Sequence, residues 1–347
     1  MLVDVHSHVT PFEFPACPGD ASRARWPCMH RPVDAETVVM QVGGKPFRKL
    51  DRRSWDGDAR VADMDRDGVA VQVLSPMPEL LSYWMPLADG ETLCQCVNEQ
   101  IATMLAAQPR RFRGLGAVPL QSPERAAGLL ARLKRDFGFC GVEIGSNING
   151  LMLGDARFEP FYAEAEALGM AVFVHALHPV STQHIESTPL YTGCVGFPLD
   201  VAMAAASLMT SGTLDKFPRL RIGFSHGGGA LGSILGRLDV GWEKTGESDG
   251  GVTRRPSELA RALFYDSNVY APRYLRYIVD HMAPGRVFLG TDYPYDIMQR
   301  DPRGFIEALG YRGAAKDSLH SGAAAAFLGE CFDPECGGDA RADQLEA

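Results

Sequence analysis

Short apolar runs of strand length recur along the whole chain, and predicted helices separate nearly all of them. We predict eight such strands: Val3–His8, Val69–Ser75, Phe112–Val118, Gly141–Ile144, Ala171–Val174, Leu220–Phe224, Leu263–Ser267 and Val287–Gly290. Continuous apolar strands that alternate with helices are typical of parallel strands buried on both faces. Eight of them in 347 residues favour a closed (β/α)8 TIM barrel, an α/β fold. The alternative, an open doubly wound sheet, normally carries a Gly-rich phosphate turn after its first strand, and none follows here.

A long irregular stretch, residues 10–55, separates the first strand from the first predicted helix. Within it, residues 37–42, then Gly43-Gly44, then residues 45–48 predict a β-hairpin with a Gly-Gly turn. An insertion of this length inside a compact domain is usually functional. We therefore predict one barrel domain over residues 1–347, with residues 10–55 as a small lid subdomain.

Composition excludes several classes of protein. The formal net charge is −9 and no basic block is present, which argues against a nucleic-acid partner. The apolar runs are strand-sized, below the ~20 residues that span a bilayer, and the N-terminus enters a strand without a signal-peptide pattern. We expect a cytoplasmic protein without a membrane partner. The eight cysteines are scattered, and we expect them to be reduced; Cys17 and Cys28 could form a soft metal site, although an inert role is favoured.

Metal-ligand residue types stand at the ends of several predicted strands. His6 and His8 lie two residues apart and point to the same side of the first strand, about 6–7 Å apart. His175, His226 and Asp292 follow the fifth, sixth and eighth strands. Each alone could be a core, turn or capping residue. Because a TIM barrel collects its strand ends at one face, together they predict a zinc-type site with three imidazoles, one carboxylate and an open position. His226 would then be left as a general base.

The segments that carry these residues resemble the amidohydrolase superfamily, and within it the family of 2-amino-3-carboxymuconate 6-semialdehyde decarboxylase and related zinc decarboxylases. They are Asp4–His8, Phe173–His175, Ser225–Gly229 and Gly290–Pro294. Further matching segments spread over nearly the whole chain: Phe47-Arg48, Trp55-Asp56, Met64–Val69, Ser82–Trp84, Pro109–Phe112, Val118–Leu120, Gly141–Gly145 and Leu235–Arg237.

The resemblance implies a (β/α)8 fold and non-oxidative C–C bond cleavage at one zinc ion per subunit, although another divalent metal is possible. His6, His8, His175 and Asp292 would be the metal ligands. His226 would deprotonate the metal-bound water and help to protonate carbon.

The resemblance also implies two substrate-binding arginines. Arg48, on the insertion, would hold a substrate carboxylate, because the planar guanidinium pairs with carboxylates in a bidentate way. Arg237 would hold a second acidic group in the neighbouring subunit of a homodimer. From the residues alone, either could be an ordinary surface arginine.

The chain departs from the family pattern after the fifth strand and in the fourth. The family decarboxylases have His-Pro-Trp after the fifth strand, where this chain has His175-Ala176-Leu177-His178. His178 could bind substrate, donate a proton or be a loop residue. Glu143 replaces an amide residue on the fourth strand, and we expect a hydrogen-bonded structural role rather than a metal ligand. The loop 181–197 also differs, at the place where substrate selectivity would be set.

Three functions remain in competition. The first is a zinc-dependent decarboxylase of a carboxylated muconate semialdehyde or a similar acid from aromatic degradation. The second is a metal-dependent hydrolase or hydratase of an amide, lactone or unsaturated diacid, which the changed histidine loop favours. The third is an inactive barrel that only binds a ligand, and the intact ligand set argues against it.

Overall fold

The computed structural model describes residues 1–31, 37–245 and 252–332. Part of the insertion, residues 32–36, and Cys336 lie outside these ranges. Eight parallel strands form one sheet, and each strand pairs with the next one along the chain. They are β1 (Val3–Val9), β2 (Val71–Pro76), β3 (Phe112–Gly116), β4 (Gly141–Gly145), β5 (Ala171–His175), β6 (Ile222–Phe224), β7 (Phe264–Asp266) and β8 (Val287–Phe288). The predicted (β/α)8 barrel is confirmed.

Contacts between the first and last strands close the barrel. The amide of Val5 donates to Leu289 O (2.9 Å), and the amide of Asp292 donates to His6 O (2.9 Å). The buried carboxylate of Asp4 adds bonds from the amide of Thr291 (3.1 Å) and from its hydroxyl (2.7 Å). These bonds fix the segment after β8 directly beside the histidines of β1.

Every residue of β1, β2, β4 and β5 is buried, including the polar ones, as expected for parallel strands covered on both faces. Below the polar end, Phe173, Phe264 and Phe288 fill the barrel interior, and Phe327 packs against all three rings. These phenylalanines fill one end of the barrel. The polar side chains therefore lie at the opposite end, where the strands have their C-termini.

Helices surround the strands. Those of six or more residues are α1 (Gly57–Asp67), α2 (Leu87–Ala107), α3 (Pro123–Phe137), α4 (Glu159–Leu168), α5 (Phe197–Thr210), α6 (Leu231–Thr245), α7 (Pro256–Ala262), α8 (Pro272–Tyr277), α9 (Pro302–Glu307) and α10 (Ala323–Leu328). In α3, Pro123 occupies the first turn and Gly138 ends the helix in the left-handed conformation (φ 66°). Its buried face is Ala126, Leu130 and Leu133, at helical spacing.

The insertion forms a three-stranded antiparallel sheet of Pro27–His30, Val38–Val42 and Lys45–Leu50. The predicted hairpin is confirmed: Val42 pairs with Lys45, and Gly43 and Gly44 both have positive φ (57° and 76°). A Cβ atom at Gly43 would lie 2.0 Å from the carbonyl oxygen of Ala24, so glycine is required there.

One helical stretch, Pro189–Thr210, is long and apolar enough to cross a membrane by length and composition, although the sequence had suggested no such segment. Its most apolar window is 44% buried inside the protein. A core helix of a barrel passes the same test, so this stretch is weak evidence for a membrane segment.

Candidate metal centre and its cavity

Four side chains from three places in the chain converge at the C-terminal end of the barrel. His6 and His8 belong to β1, His175 ends β5 and Asp292 follows β8. One ligand atom from each lies within 4.8 Å of all the others, and all four residues are buried. Nε2 of His8 is 3.0 Å from Nε2 of His6 and 3.1 Å from Oδ1 of Asp292. The structure thus brings together all four residues predicted as metal ligands.

The hydrogen bonds of the three imidazoles set which nitrogen faces the centre. His8 Nδ1 donates to the carbonyl oxygen of Pro76 (2.9 Å), and His175 Nδ1 donates to that of Ala176 (2.9 Å). Since a carbonyl only accepts, Nδ1 carries the proton and Nε2 keeps its lone pair. His6 Nδ1 contacts the Asp266 carboxylate (2.5 Å). Three Nε2 atoms therefore point at one position, as in metal-binding histidines whose Nδ1 is held by a hydrogen bond.

The charges at this position fit a divalent cation. Within the described ranges, His175 Nε2 and Asp292 Oδ1 are buried without a hydrogen-bond partner. Burial lowers the pKa of His8 to about 4 and lowers that of His175 well below its usual value, so both are neutral at pH 7. Burial also opposes a charged His6, but the Asp292 and Asp266 carboxylates outweigh burial and raise the pKa of His6 to about 9. Without a metal the ring therefore carries a second proton, on Nε2, and a bound cation would take the place of that proton. Three nitrogens and one carboxylate oxygen form a ligand set suited to such an ion.

Asp266, at the end of β7, contacts this cluster through Nδ1 of His6. Besides His6, its carboxylate accepts hydrogen bonds from the amides of Gly227 (2.7 Å) and Asn268 (3.0 Å). Burial opposes its ionisation, but the hydrogen bond and charge of His6 outweigh burial and hold the pKa of Asp266 below its usual value. The carboxylate is therefore ionised and orients the His6 ring.

His226 lies beside the cluster but outside the four-residue set. Its Nε2 is 3.9 Å from Oδ2 of Asp292, and its side chain is 15% exposed. The residue has φ 55°, and three glycines with positive φ follow it. A Cβ atom at Gly229 would lie 1.9 Å from the carbonyl oxygen of Pro198, so this tight turn needs glycine. The turn presents the imidazole to the open side of the cluster.

A cavity of about 1200 Å³ opens above the cluster and is lined by His175, His226 and Asp292. Arg48 also lines it, with its guanidinium carbon 4.2 Å from the centroid of the Tyr295 ring. The Tyr295 ring in turn stacks on His8, with centroids 5.1 Å apart. No carboxylate within the described ranges pairs with Arg48, so its charge is available to the cavity.

His178 also lines the cavity, as part of a small cluster with Glu79 and Trp84. Its Nε2 is 3.0 Å from the Glu79 carboxylate, and its ring stacks on Trp84 with centroids 4.2 Å apart. His178 has φ 44°, and the side chain of Asn147 donates to its carbonyl oxygen (3.3 Å). This conformation and these contacts hold the imidazole at the cavity wall.

Arg237 does not line this cavity. It is exposed on α6, on the outside of the barrel. The structure therefore does not bring Arg237 together with the other predicted site residues of the same chain.

Glu143 differs from its predicted hydrogen-bonded role. It is buried on β4, with one carboxylate oxygen 3.7 Å from His8 Nδ1, and neither oxygen has a hydrogen-bond partner among residues the structure describes. Burial raises the pKa of this carboxyl well above its usual value. Glu143 is outside the four-residue metal set, as expected, but the hydrogen bond expected for it is not formed among the described residues.

Sequence reasoning overlooked three residues of the site: Asp266, Asn268 and Tyr295. A usable signal existed for the first two, because the polar run Asp266-Ser267-Asn268 stands at the end of the seventh predicted strand, as the chosen histidines stand at the ends of theirs. Tyr295 carried no comparable signal, since an aromatic residue near a strand end is common in any core.

Comparison with known proteins agrees with this geometry. The family model described as amidohydrolase matches residues 3–329. A 2-amino-3-carboxymuconate-6-semialdehyde decarboxylase from Dictyostelium discoideum is 32% identical over 96% of this chain and 92% of its own. A 6-methylsalicylic acid decarboxylase from Penicillium expansum is 30% identical over 93% and 94%.

Solved structures show the same architecture. The 5-carboxyvanillate decarboxylase from Sphingomonas paucimobilis superposes with a TM-score of 0.75 at 24% identity, over 95% of this chain and 99% of the other. The corresponding enzyme from Novosphingobium aromaticivorans, with manganese and 4-hydroxy-3-methoxy-5-nitrobenzoic acid bound, gives 0.72 at 25% identity, over 80% and 81%.

The fold and the buried ligand cluster define a metal-dependent TIM-barrel enzyme. The chain belongs to the amidohydrolase family. Its relatives place it among the metal-dependent carboxy-lyases of that superfamily.

Proposed function

We propose that this protein is a zinc-dependent, non-oxidative decarboxylase of a carboxylated muconate semialdehyde or a similar aromatic-degradation acid. The observation that carries the proposal is a cavity lined both by Arg48, which has no carboxylate partner among the described residues, and by the buried cluster of three histidines and one aspartate. That combination offers an anchor for a carboxylate beside a cation site. The named relatives, which are decarboxylases of unsaturated or aromatic acids, support the same reaction.

His6, His8, His175 and Asp292 would hold the metal. Three nitrogen donors suit zinc, and one ion per subunit follows from the single cluster among the described residues. The bound ion supplies Lewis-acid charge to substrate oxygens. A structural neighbour binds manganese, so manganese is the alternative to zinc that should be tested.

The reaction breaks the bond between carbon and the carboxylate, and a proton takes the place of the released CO2. We propose that His226 delivers that proton. It lies beside the cluster, its side chain is 15% exposed, and its Nε2 is 3.9 Å from Asp292 Oδ2. Arg48 would hold an acidic group of the substrate, and stacking on Tyr295 would keep its guanidinium directed into the cavity.

Arg237 and His178 would complete substrate binding. Because Arg237 is exposed and absent from the cavity of its own chain, we propose that it enters the site of a second copy in a homodimer. His178, held by Glu79 and Trp84, would contact the part of the substrate farthest from the metal.

The second candidate is hydrolysis or hydration of an amide, lactone or unsaturated diacid at the same site. His178 favours it, because an additional imidazole at the cavity wall could protonate a leaving group. It requires no loss of CO2, and that difference separates the two candidates.

The test is a screen of zinc-loaded protein against carboxylated muconate semialdehydes and hydroxybenzoates, with ultraviolet absorbance and CO2 followed together. We expect one CO2 for each substrate consumed. Consumption without CO2 would overturn the decarboxylase and favour the hydrolase.

We predict that His226→Asn retains the metal and lowers kcat by at least about 10²-fold, because the proton donor is removed while the four ligands remain. Kinetics and metal analysis on the same preparation check this. The matched control is His281→Asn, which changes an exposed histidine in the segment after α8 and should keep full activity. Near-normal turnover of His226→Asn would remove the role assigned to His226.

A further inference from the structure

The first turn of α5 contains a buried carboxylate that none of the roles above uses. Asp200 is fully buried. Its oxygens accept hydrogen bonds from the hydroxyl of Ser146 and from the side-chain amide of Asn147 (3.0 Å), both just after β4. They also accept one from the backbone amide of Val180 (2.8 Å), in the loop after β5. One carboxylate on a surrounding helix therefore joins the segments that follow two neighbouring strands.

The same two partners of Asp200 also hold the backbone that carries His178. The hydroxyl of Ser146 accepts a hydrogen bond from the amide of Leu177 (3.1 Å). The side-chain amide of Asn147 donates to the carbonyl oxygens of Leu177 (2.9 Å) and His178 (3.3 Å). The loop that places His178 at the cavity wall is thus bonded to Asp200 through Ser146 and Asn147.

The ring contacts of His178 are too weak to set its position alone. Its side chain is 50% exposed, so solvent screens its contact with the Glu79 carboxylate. The residue also has φ 44°, a conformation that is unfavourable for a residue with a Cβ atom unless neighbouring bonds impose it. The backbone bonds that lead to Asp200 therefore decide where this imidazole lies.

The first turn of α5 also contacts the turn that carries His226. The amide of Ala230 donates to the carbonyl oxygen of Pro198 (3.1 Å). Pro198 and Asp200 belong to the same helical turn, so His178 and His226, the two cavity histidines outside the proposed ligand set, are bonded to one piece of backbone.

We propose that Asp200 is a positioning residue that holds the imidazole of His178 at the cavity wall. Three donors converge on its two oxygens, and a carboxylate accepts at both. An amide has one oxygen and one NH2 group, so in Asp200→Asn at least one donor would face another donor. That change should release the loop after β5, whereas His175 should stay in place because it belongs to the strand itself.

The first test uses no substrate, so its result does not depend on the proposed decarboxylation. The imidazole of His178 stacks on Trp84 with ring centroids 4.2 Å apart, and protons above an aromatic face resonate upfield in nuclear magnetic resonance spectra. The probe is zinc-loaded protein with isotope-labelled histidines. Loss of the His178 ring signals in His178→Gln assigns them, and their position in Trp84→Leu marks an unstacked ring.

We expect the His178 signals of Asp200→Asn to move downfield, toward their position in Trp84→Leu. Ser146→Ala removes only a hydroxyl and should move them in the same direction by less, and it decides the question if Asp200→Asn does not fold. The matched control is Asp215→Asn, because Asp215 accepts a hydrogen bond from the amide of Thr253 (3.0 Å) away from the cavity. It should leave the His178 signals at their wild-type position.

A second readout, which alone rests on the proposed function, is the kinetics of any acid that the screen above finds to be a substrate. Asp200→Asn should raise KM about 10-fold and change kcat by less than about 2-fold. Added to His178→Gln, it should raise KM no further, because Asp200 acts through His178.

Each outcome decides one of the two proposals. Unmoved His178 signals in the folded variants, or equal movement in Asp215→Asn, overturn the positioning role and leave decarboxylation standing. Independent effects of Asp200→Asn and His178→Gln on KM also overturn that role. Signals that move as expected, in a protein that releases no CO2 from any acid, support the positioning role and overturn the proposed reaction.

Discussion

At the level of single residues, the carboxylate of Asp266 accepts hydrogen bonds from three parts of the site: the His6 ring, the amide of Gly227 and the amide of Asn268. The first bond sets the tautomer of His6, a proposed metal ligand. The second fixes the turn that carries His226, and the third fixes the loop that carries Asn268. A change at Asp266 should therefore act on the metal first, because only the His6 contact depends on its negative charge.

We predict that Asp266→Asn lowers zinc affinity by about 10–100-fold while the fold is retained. An amide nitrogen can donate to His6 Nδ1, which moves the ring proton to Nε2 and removes the lone pair that faces the centre. Competition with a fluorescent zinc chelator measures the change. The control is Asp136→Asn, at an exposed carboxylate of α3, which should bind zinc as wild type does. Unchanged affinity in Asp266→Asn would contradict the role given to that residue.

At the level of elements, α1 fixes the position of β1 through the fully buried Arg60. Its guanidinium donates to the carbonyl oxygen of His8, to Gln72 Oε1 (3.0 Å) and to Arg53 O (2.7 Å). Burial lowers the pKa of Arg60 to about 10, so the group remains charged at pH 7. The strand that carries His6 and His8 thus depends on one side chain from the first barrel helix.

We predict that Arg60→Met lowers the free energy of unfolding by about 3 kcal/mol or more, because several buried acceptors lose their donor at about 1–3 kcal/mol each. Urea unfolding of the metal-free protein measures the loss. Arg66→Met, at an exposed arginine of the same helix, is the control and should stay within about 0.5 kcal/mol of wild type. A similar small effect for Arg60→Met would show that β1 is held by other contacts.

Elements with local signals could be predicted from the sequence. Apolar runs indicated all eight strands, the Gly43-Gly44 turn indicated the hairpin, and strand-end positions brought His6, His175 and Asp292 together correctly. The supporting bonds could not be predicted, because they join residues far apart in the chain. The contact between Asp266 and His6 spans 260 positions, and that between Arg60 and β1 spans more than 50. Strand Pro27–His30 was missed because its pairing depends on the hairpin, not on its own sequence.

At the level of the whole molecule, the cavity is large for the one arginine or lysine that lines it among the described residues. About 1200 Å³ is open above the cluster, and Arg48 is the one arginine or lysine among the described residues that line it. A substrate with two acidic groups would need a second cation. The proposed source is Arg237 of another copy, because its own chain leaves that residue exposed on α6.

A test of this arrangement uses two inactive variants expressed together. We predict that Arg237→Ala and His226→Asn are each inactive alone, and that their co-expression restores about a quarter of wild-type activity. In random dimers about half are mixed, and each mixed dimer has one complete site, in the Arg237→Ala chain, which receives Arg237 from its partner. Activity per subunit, with both chains separately tagged, measures the recovery. Arg237→Ala co-expressed with the double variant His226→Asn, Arg237→Ala is the matched control, since no complete site can form there. If Arg237 acted within its own chain, neither mixture would recover activity.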